Sequence, residues 1–189
     1  MKKINYLFLT FLLAGVALSS CDKDEPEDPV IPNEEEVITT LLLTLVPQDG
    51  GEAVVFSFRD LDGDGGDAPV LITPPLDSNT VYMGSLELKN EIVNPAEDIT
   101  EEILEEAEEH QFFFQSTIPE LFVAYGDLDA NQNPIGVSTI VTTAGFANGT
   151  LKITLRHEPD KDAAGVAEGD ITNAGGETDI EVVFDVLVQ

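Results

Sequence analysis

Two acidic loops in this sequence carry carboxylates at the alternate positions that suit a calcium ion. The first covers residues 58–67 (FRDLDGDGGD) and the second covers residues 125–134 (YGDLDANQNP). Both place Asp-Leu-Asp directly after a predicted aromatic-bearing strand, and this spacing can turn several loop oxygens toward one centre. The predicted calcium ligands are Asp60, Asp62, Asp64 and Asp67 in the first loop and, as a weaker candidate, Asp127, Asp129 and Asn131 in the second.

The first loop resembles the beginning of the calcium loops of EF-hand, dockerin and thrombospondin-type repeats, through Asp60-x-Asp62-x-Asp64-Gly65. The resemblance ends there, because position twelve is Leu71 where an EF-hand has a bidentate Glu. The second loop has Gln132 where these loops have glycine. The alternative interpretation is a pair of tight polar turns, since Asp, Asn and Gly are also the residues that turns require.

The two histidines form a second candidate site. His110 ends an acidic segment and His157 follows a predicted strand, with Glu158 directly after it. Two imidazoles with Glu106 or Glu158 would suit zinc or copper, and the predicted transition-metal ligands are His110, His157 and Glu158. The alternative is that each histidine hydrogen-bonds a carboxylate or a carbonyl, because the sequence does not show whether the two rings meet.

Enzyme signatures are missing from the sequence. It contains no Gly-rich phosphate loop, no Gly-x-Ser-x-Gly elbow and no His-Glu-x-x-His motif. The sequence therefore predicts a protein that is not an enzyme and has no organic cofactor. The 37 acidic and 8 basic residues give a net charge of −29, which excludes nucleic acid as a partner because phosphate binding needs a basic surface.

The N-terminus predicts export and lipid anchoring. Lys2 and Lys3 precede a short apolar stretch over residues 6–16, which is the pattern of a signal peptide covering residues 1–20. Residues 18–21 (LSSC) resemble the bacterial lipobox, so acyl chains on Cys21 are expected to hold the protein on a lipid bilayer. Residues 21–36 are acidic and proline-rich, which predicts a disordered tether. The alternative is an ordinary signal peptide with a chance cysteine.

The rest of the chain, residues 37–189, predicts one all-β domain. About eight short apolar or alternating segments are separated by Gly, Pro, Asn and Asp turns, which favours an antiparallel β-sandwich of immunoglobulin-like or jelly-roll-like type. One short acidic helix is predicted over residues 95–110, capped by Asn94 with Pro95 at its first position. The predicted strands cover residues 37–46, 54–58, 80–89, 112–114, 121–125, 136–143, 151–155 and 180–188.

Three segments resemble a family of small Bacteroidetes surface lipoproteins. They are residues 108–114 (EEHQFFF), 155–161 (LRHEPDK) and 175–182 (GGETDIEV), and residues 23–25 (KDE) resemble the acidic export signal of such proteins. The resemblance implies an outer-membrane location, facing the cell surface or the periplasm, beside TonB-dependent receptors. Some similar chains are described as type 1 periplasmic-binding-like, which is a longer α/β fold.

Two functions follow from these patterns. The first is a lipoprotein that captures a cation or small solute for an outer-membrane receptor, because the acidic field concentrates cations and the histidines and Asp loops supply ligands. The second is a calcium-stiffened adhesion or scaffold module without a transported ligand. A type 1 periplasmic-binding-like protein is the third alternative.

Overall fold

The computed structural model describes residues 37–63 and 66–189, in which ten strands form two antiparallel sheets. The predicted signal peptide, Cys21, the predicted tether and Asp64 lie outside the described residues. The strands are β1 (Thr40–Pro47), β2 (Val54–Arg59), β3 (Val70–Ile72), β4 (Val81–Asn90), β5 (Glu97–Asp98), β6 (His110–Ser116), β7 (Leu121–Tyr125), β8 (Ser138–Thr143), β9 (Ala147–His157) and β10 (Glu177–Val188).

The larger sheet has seven strands and the smaller sheet has three. The larger sheet follows the order β3-β2-β1-β4-β8-β7, and β5 adds to β4; the smaller sheet follows the order β10-β9-β6. All of these neighbours pair antiparallel. The predicted all-β, antiparallel sandwich-like fold is therefore confirmed.

The core lies between the inward faces of the two sheets. Alternate residues of β1, including Leu41 and Leu43, are completely buried, and alternate residues of β9 and β10 are also buried. Across the interface, Phe56 of the larger sheet and Phe184 of the smaller sheet contact each other with ring centroids 5.6 Å apart. The period-two pattern of the sequence produces this arrangement because successive side chains of a strand point to opposite faces.

The helix is shorter than the sequence predicted. Helix α1 covers only Ile99–Glu105, and its N-cap is Asp98, whose side chain accepts from Thr100 N. The predicted cap at Asn94 was wrong, because residues 97–98 pair with the end of β4 as strand β5. Residues that were expected to lie in the first helical turn therefore pair as a strand instead.

Strands β3 and β5 were not predicted from the sequence. β3 has only three residues, all exposed, and pairs with β2 alone. β5 consists of two acidic residues, which are uncommon in strands. Neither strand shows an alternating apolar pattern, so only pairing with a neighbour makes them strands.

The loops that carry most of the acidic residues leave the sandwich at one end. Thr40 pairs with both Arg59 and Lys89, so β2 and β4 finish beside the start of β1. The segments that follow β2, β4, β7 and β9 are therefore gathered at this end, which we call the acidic end. It consists of residues 60–63, 66–67, 91–109, 126–136 and 158–176.

Candidate metal site at the acidic end

The two histidines meet at the edge of the smaller sheet. β6 begins at His110 and β9 ends at His157, and the antiparallel register places these residues directly opposite each other. Their rings stack with centroids 4.8 Å apart and an interplanar angle of 10°. The tertiary structure thus shows that the two rings meet, which the sequence did not show.

His110 is the inner ring of this pair, with a side chain only 1% exposed. Its Nδ1 lies 3.1 Å from the carbonyl oxygen of Glu106, which can only accept, so Nδ1 carries a proton in this contact. Burial lowers the pKa of His110 below its usual value, although the bond to Glu106 opposes this effect. Burial thus disfavours the charged form of the ring, and its Nδ1 faces the backbone.

A buried carboxylate lies on the other side of the inner ring. His110 Nε2 is 4.0 Å from Asp179 Oδ2, and the side chain of Asp179 is 2% exposed. The β9–β10 register shifts between Thr178 and Ile180, which makes Asp179 the extra residue of a β-bulge. Bulges re-aim side chains, and strict alternation would have assigned Asp179 to the face opposite Ile180. No local feature of the sequence marks this bulge, so sequence reasoning missed Asp179.

The outer ring belongs to a group of three potential metal ligands. One ligand atom from each of Glu109, His157 and Glu158 lies within 4.8 Å of the others. His157 Nε2 is 4.0 Å from Glu109 Oε2, with the two side chains 12% and 55% exposed. Among residues 37–63 and 66–189, no other group of His, Cys, Asp and Glu meets this criterion.

The structure therefore places two of the three predicted transition-metal ligands in one group and replaces the third. His157 and Glu158 belong to the group, whereas His110 is turned toward the Glu106 carbonyl and Glu109 takes its place. Because His110 pairs with His157, the antiparallel register places Glu109 opposite Glu158. The amide of Glu158 donates to the Glu109 carbonyl at 2.6 Å. Knowing the strand register would have revealed Glu109.

The donor types of this group are those that a divalent transition metal takes in proteins. One imidazole nitrogen and two carboxylate oxygens are common zinc ligands, and ligands bonded to one zinc at about 2.0–2.2 Å stand about 3–4 Å apart. The two carboxylates would balance the charge of a divalent ion. Three protein ligands would leave a coordination position open for water or a second ligand.

An acidic cleft of about 590 Å³ adjoins the candidate site, and Glu109 forms part of its wall. The cleft lies between the end of α1 and the loop after β7. An ion can therefore approach Glu109 along a carboxylate-lined surface, which raises its local concentration. The lining residues are Leu104, Glu105, Glu106, Ala107, Glu108, Glu109, Asp127, Leu128, Asp129, Ala130 and Ile135.

Like charges crowd together along this helix. Burial raises the pKa of Glu102, and the carboxylates of Glu97, Glu106, Glu105 and Asp98 raise it further. The last turn of α1 itself contains no basic residue, and the cation beside this end of the helix is the ammonium of Lys161, which donates to the Ala107 carbonyl just beyond it. This end of the molecule consequently favours a cation.

In the second Asp loop, the predicted ligands bind protein donors. Asp127 accepts from the amides of Gly136 and Ser138 at 2.8 and 2.7 Å. Asp129 Oδ1 accepts from the amides of Asn131 and Asn133, both at 2.9 Å. Asn131 thus contributes its backbone to this turn, and the loop geometry is explained without a calcium ion.

The cation beside Asp129 is the ammonium of Lys161. Its Nζ donates to Asp129 Oδ2 at 2.9 Å, and the Lys161 and Asp129 side chains are 5% and 0% exposed. The same ammonium donates to the carbonyls of Ala107 and Pro134 at 2.6 and 3.1 Å. Sequence reasoning missed Lys161, because nothing in its local pattern distinguishes it from a surface lysine.

In the first Asp loop, the described carboxylates stabilise a turn. Asp60 Oδ1 accepts from the amides of Asp62 and Gly63 at 3.3 and 2.9 Å. Asp62 Oδ2 accepts from the amide of Asp67 at 2.7 Å. The bonds to Asp60 are typical of an Asx turn, whereas the bond to Asp62 spans five residues of the loop. Asp64 lies outside the described residues, so calcium binding by the four predicted ligands stays a prediction.

Comparison of the chain with protein-family models, with curated proteins and with solved structures found no match. Within the part of the chain that the structure describes, no helix has the length and hydropathy needed to cross a bilayer. The function is therefore inferred from the geometry of Glu109, His157 and Glu158.

Proposed function

We propose that this protein is a lipid-anchored bacterial lipoprotein that captures a divalent transition-metal ion, zinc or copper, at Glu109, His157 and Glu158. In this proposal it serves as a binding accessory to uptake across the outer membrane through a TonB-dependent receptor. The observation that carries the proposal is the convergence of three ligand atoms within 4.8 Å.

The position of the ligands supports reversible capture. Glu109 is 55% exposed and Glu158 is exposed, so an ion can enter from solvent and leave again. A buried site with four protein ligands would instead favour a permanent structural ion. The open site therefore suits a protein that delivers its ion to a partner.

The predicted anchor supports the location. Lys2, Lys3, the apolar segment over residues 6–16 and Cys21 match the pattern of an exported and acylated protein. The net charge of −29 disfavours contact with an anionic membrane surface. A protein held near a bilayer but repelled by it would expose its acidic end to cations in solution.

Isothermal titration of chelator-treated protein with zinc, copper and calcium tests the function. We expect micromolar binding of zinc or copper that His157→Ala weakens at least about tenfold, since ligand loss should cost no less than the loss of an outer-shell partner. Glu109→Gln should weaken it as well. Glu108→Gln is the matched control, because it removes the same charge one residue away from the group.

Equal zinc affinity in the wild type and in His157→Ala would contradict the proposal. Binding of calcium alone, with a large rise in melting temperature, would instead favour the calcium-stiffened scaffold. Sodium chloride at matched ionic strength separates specific binding from screening of the acidic charge.

A further inference from the structure

Two hydrogen bonds tie the segment that carries Glu109 to the segment that carries Glu158. The Glu158 amide donates to the Glu109 carbonyl at 2.6 Å, and Lys161 Nζ donates to the Ala107 carbonyl at 2.6 Å. Ala107 lies two residues before Glu109, and Lys161 lies three residues after Glu158. The two segments are therefore joined at the candidate ligands and again just beyond them.

The ammonium of Lys161 has an acceptor for each of its three protons. Besides Ala107, it donates to the Asp129 carboxylate at 2.9 Å and to the Pro134 carbonyl at 3.1 Å. An ammonium has three donors, and a buried one with every donor satisfied is held in one place. Asp129 is itself fixed by two backbone amides, so the loop after β7 serves as a rigid support.

The ligands need such support because the local backbone is not at its preferred geometry. Glu158 has a φ of +49°, a left-handed conformation that is unfavourable for a residue other than glycine. Glu109 and Glu158 also repel each other when both are ionised. Something outside the pair must therefore hold their backbones at ligand distance from His157.

We infer that the buried ion pair of Lys161 and Asp129 positions Glu109 and Glu158 for metal binding. This inference rests on the proposed function of the same site. Neither residue is a ligand, and both act through the backbone of the segments that carry the ligands. In this inference the second Asp loop, which the sequence presented as a separate calcium site, supports the transition-metal site through Asp129.

The test uses the double variant Lys161→Met with Asp129→Asn. Lys161→Met alone would leave a buried carboxylate without its cation and can unfold the protein, whereas the double variant removes both charges and keeps an oxygen that can accept from Asn131 and Asn133. Its net charge equals that of the wild type. A change in affinity therefore reports positioning and not a weaker acidic field.

We expect zinc to bind the double variant about tenfold more weakly, which is the size of effect that outer-shell partners of metal ligands have. The visible absorption spectrum of bound cobalt(II) should change as well, because it reports the arrangement of the ligands. The matched control is Lys152→Met with Glu181→Gln. It removes an exposed ion pair, with 3.1 Å between Lys152 Nζ and Glu181 Oε2, from the smaller sheet, to which His157 also belongs. The control should bind zinc within twofold of the wild type.

Amide hydrogen exchange of the metal-free protein gives an independent readout. The Glu158 amide should exchange at least about tenfold faster in the double variant if the ion pair holds the two segments together. A folded double variant with wild-type zinc affinity and an unchanged cobalt spectrum would overturn the inference, and so would an unchanged Glu158 exchange rate. If the wild type binds neither zinc nor copper, the proposed function fails, and the exchange rate alone decides the positioning role.

Discussion

The two histidines differ in chemistry although they are direct neighbours. His110 is enclosed and its Nδ1 faces a carbonyl, whereas the largely buried ring of His157 lies beside the exposed carboxylate of Glu109. Burial lowers the pKa of His110, which disfavours a positive charge on the inner ring beneath the outer one. A neutral stacking partner can therefore support His157 without repelling a bound cation.

The ion pair of Asp129 and Lys161 leads to a prediction about pH. Burial alone would raise the pKa of Asp129, but the hydrogen bonds from Lys161 and from the amides of Asn133 and Asn131 outweigh this and lower it. A lowered carboxyl pKa stabilises the fold above the unfolded value of about 3.9, and this contribution is lost as pH falls through the folded value.

Thermal unfolding between pH 2 and pH 7, followed by circular dichroism, checks this prediction. The melting temperature should fall below about pH 4, and Asp129→Asn should make this fall smaller. Because many acids titrate in the same range, Asp185→Asn at an exposed position serves as the control. Identical pH profiles for Asp129→Asn and Asp185→Asn would show that Asp129 is not specially stabilised.

At the scale of elements, the connection between β9 and β10 shapes the candidate site. Gly175 and Gly176 both have positive φ, at +60° and +67°. A Cβ on Gly176 would lie 2.2 Å from the His157 carbonyl oxygen and 2.9 Å from that of Glu158, whereas a Cβ on Gly175 would meet nothing within 4 Å. Gly176 is therefore required both by its conformation and by close contact with the ligand backbone.

Gly176→Ala should consequently destabilise the protein by about 1–3 kcal/mol and weaken zinc binding. Gly175→Ala is the matched control, because it introduces similar backbone strain without the contact and should cost less. Urea denaturation and zinc titration of both variants measure the difference. Equal losses in the two variants would mean that the contact with His157 and Glu158 has no effect.

At the scale of the whole molecule, strand direction gathers the acidic loops at one end of the sandwich. Each contributing strand finishes there, so carboxylates that are far apart in the sequence act together. The field concentrates cations around the cleft, and salt should weaken it because the Debye length is only about 8 Å at physiological ionic strength. The candidate metal site lies inside this field.

The predicted lipid anchor at Cys21 also concerns the whole molecule. If Cys21 carries the acyl chains, Cys21→Ala should move the protein from the membrane fraction to the soluble fraction or leave it unprocessed, because the lipid supplies the attachment. Fractionation with fatty-acid labelling measures this. Membrane association that persists in Cys21→Ala, with no label on the wild type, would contradict the lipoprotein hypothesis.

The sequence by itself determined the fold class and most of the strands. Alternating residues such as Ile180, Val182 and Phe184 can be buried together on one face only in a strand. A period-two pattern of apolar residues therefore predicts a strand. Helix α1 was placed less well, because pairing of residues 97–98 with β4 overrode the local capping signals.

Only the tertiary structure decided which side chains meet. The stacking of His110 on His157 depends on the register of β6 and β9, and the inward position of Asp179 depends on a bulge. Lys161 contacts carbonyls and a carboxylate from segments 27 to 54 residues away. Such contacts join parts of the chain whose local sequences carry no information about each other, so no local pattern could have revealed them.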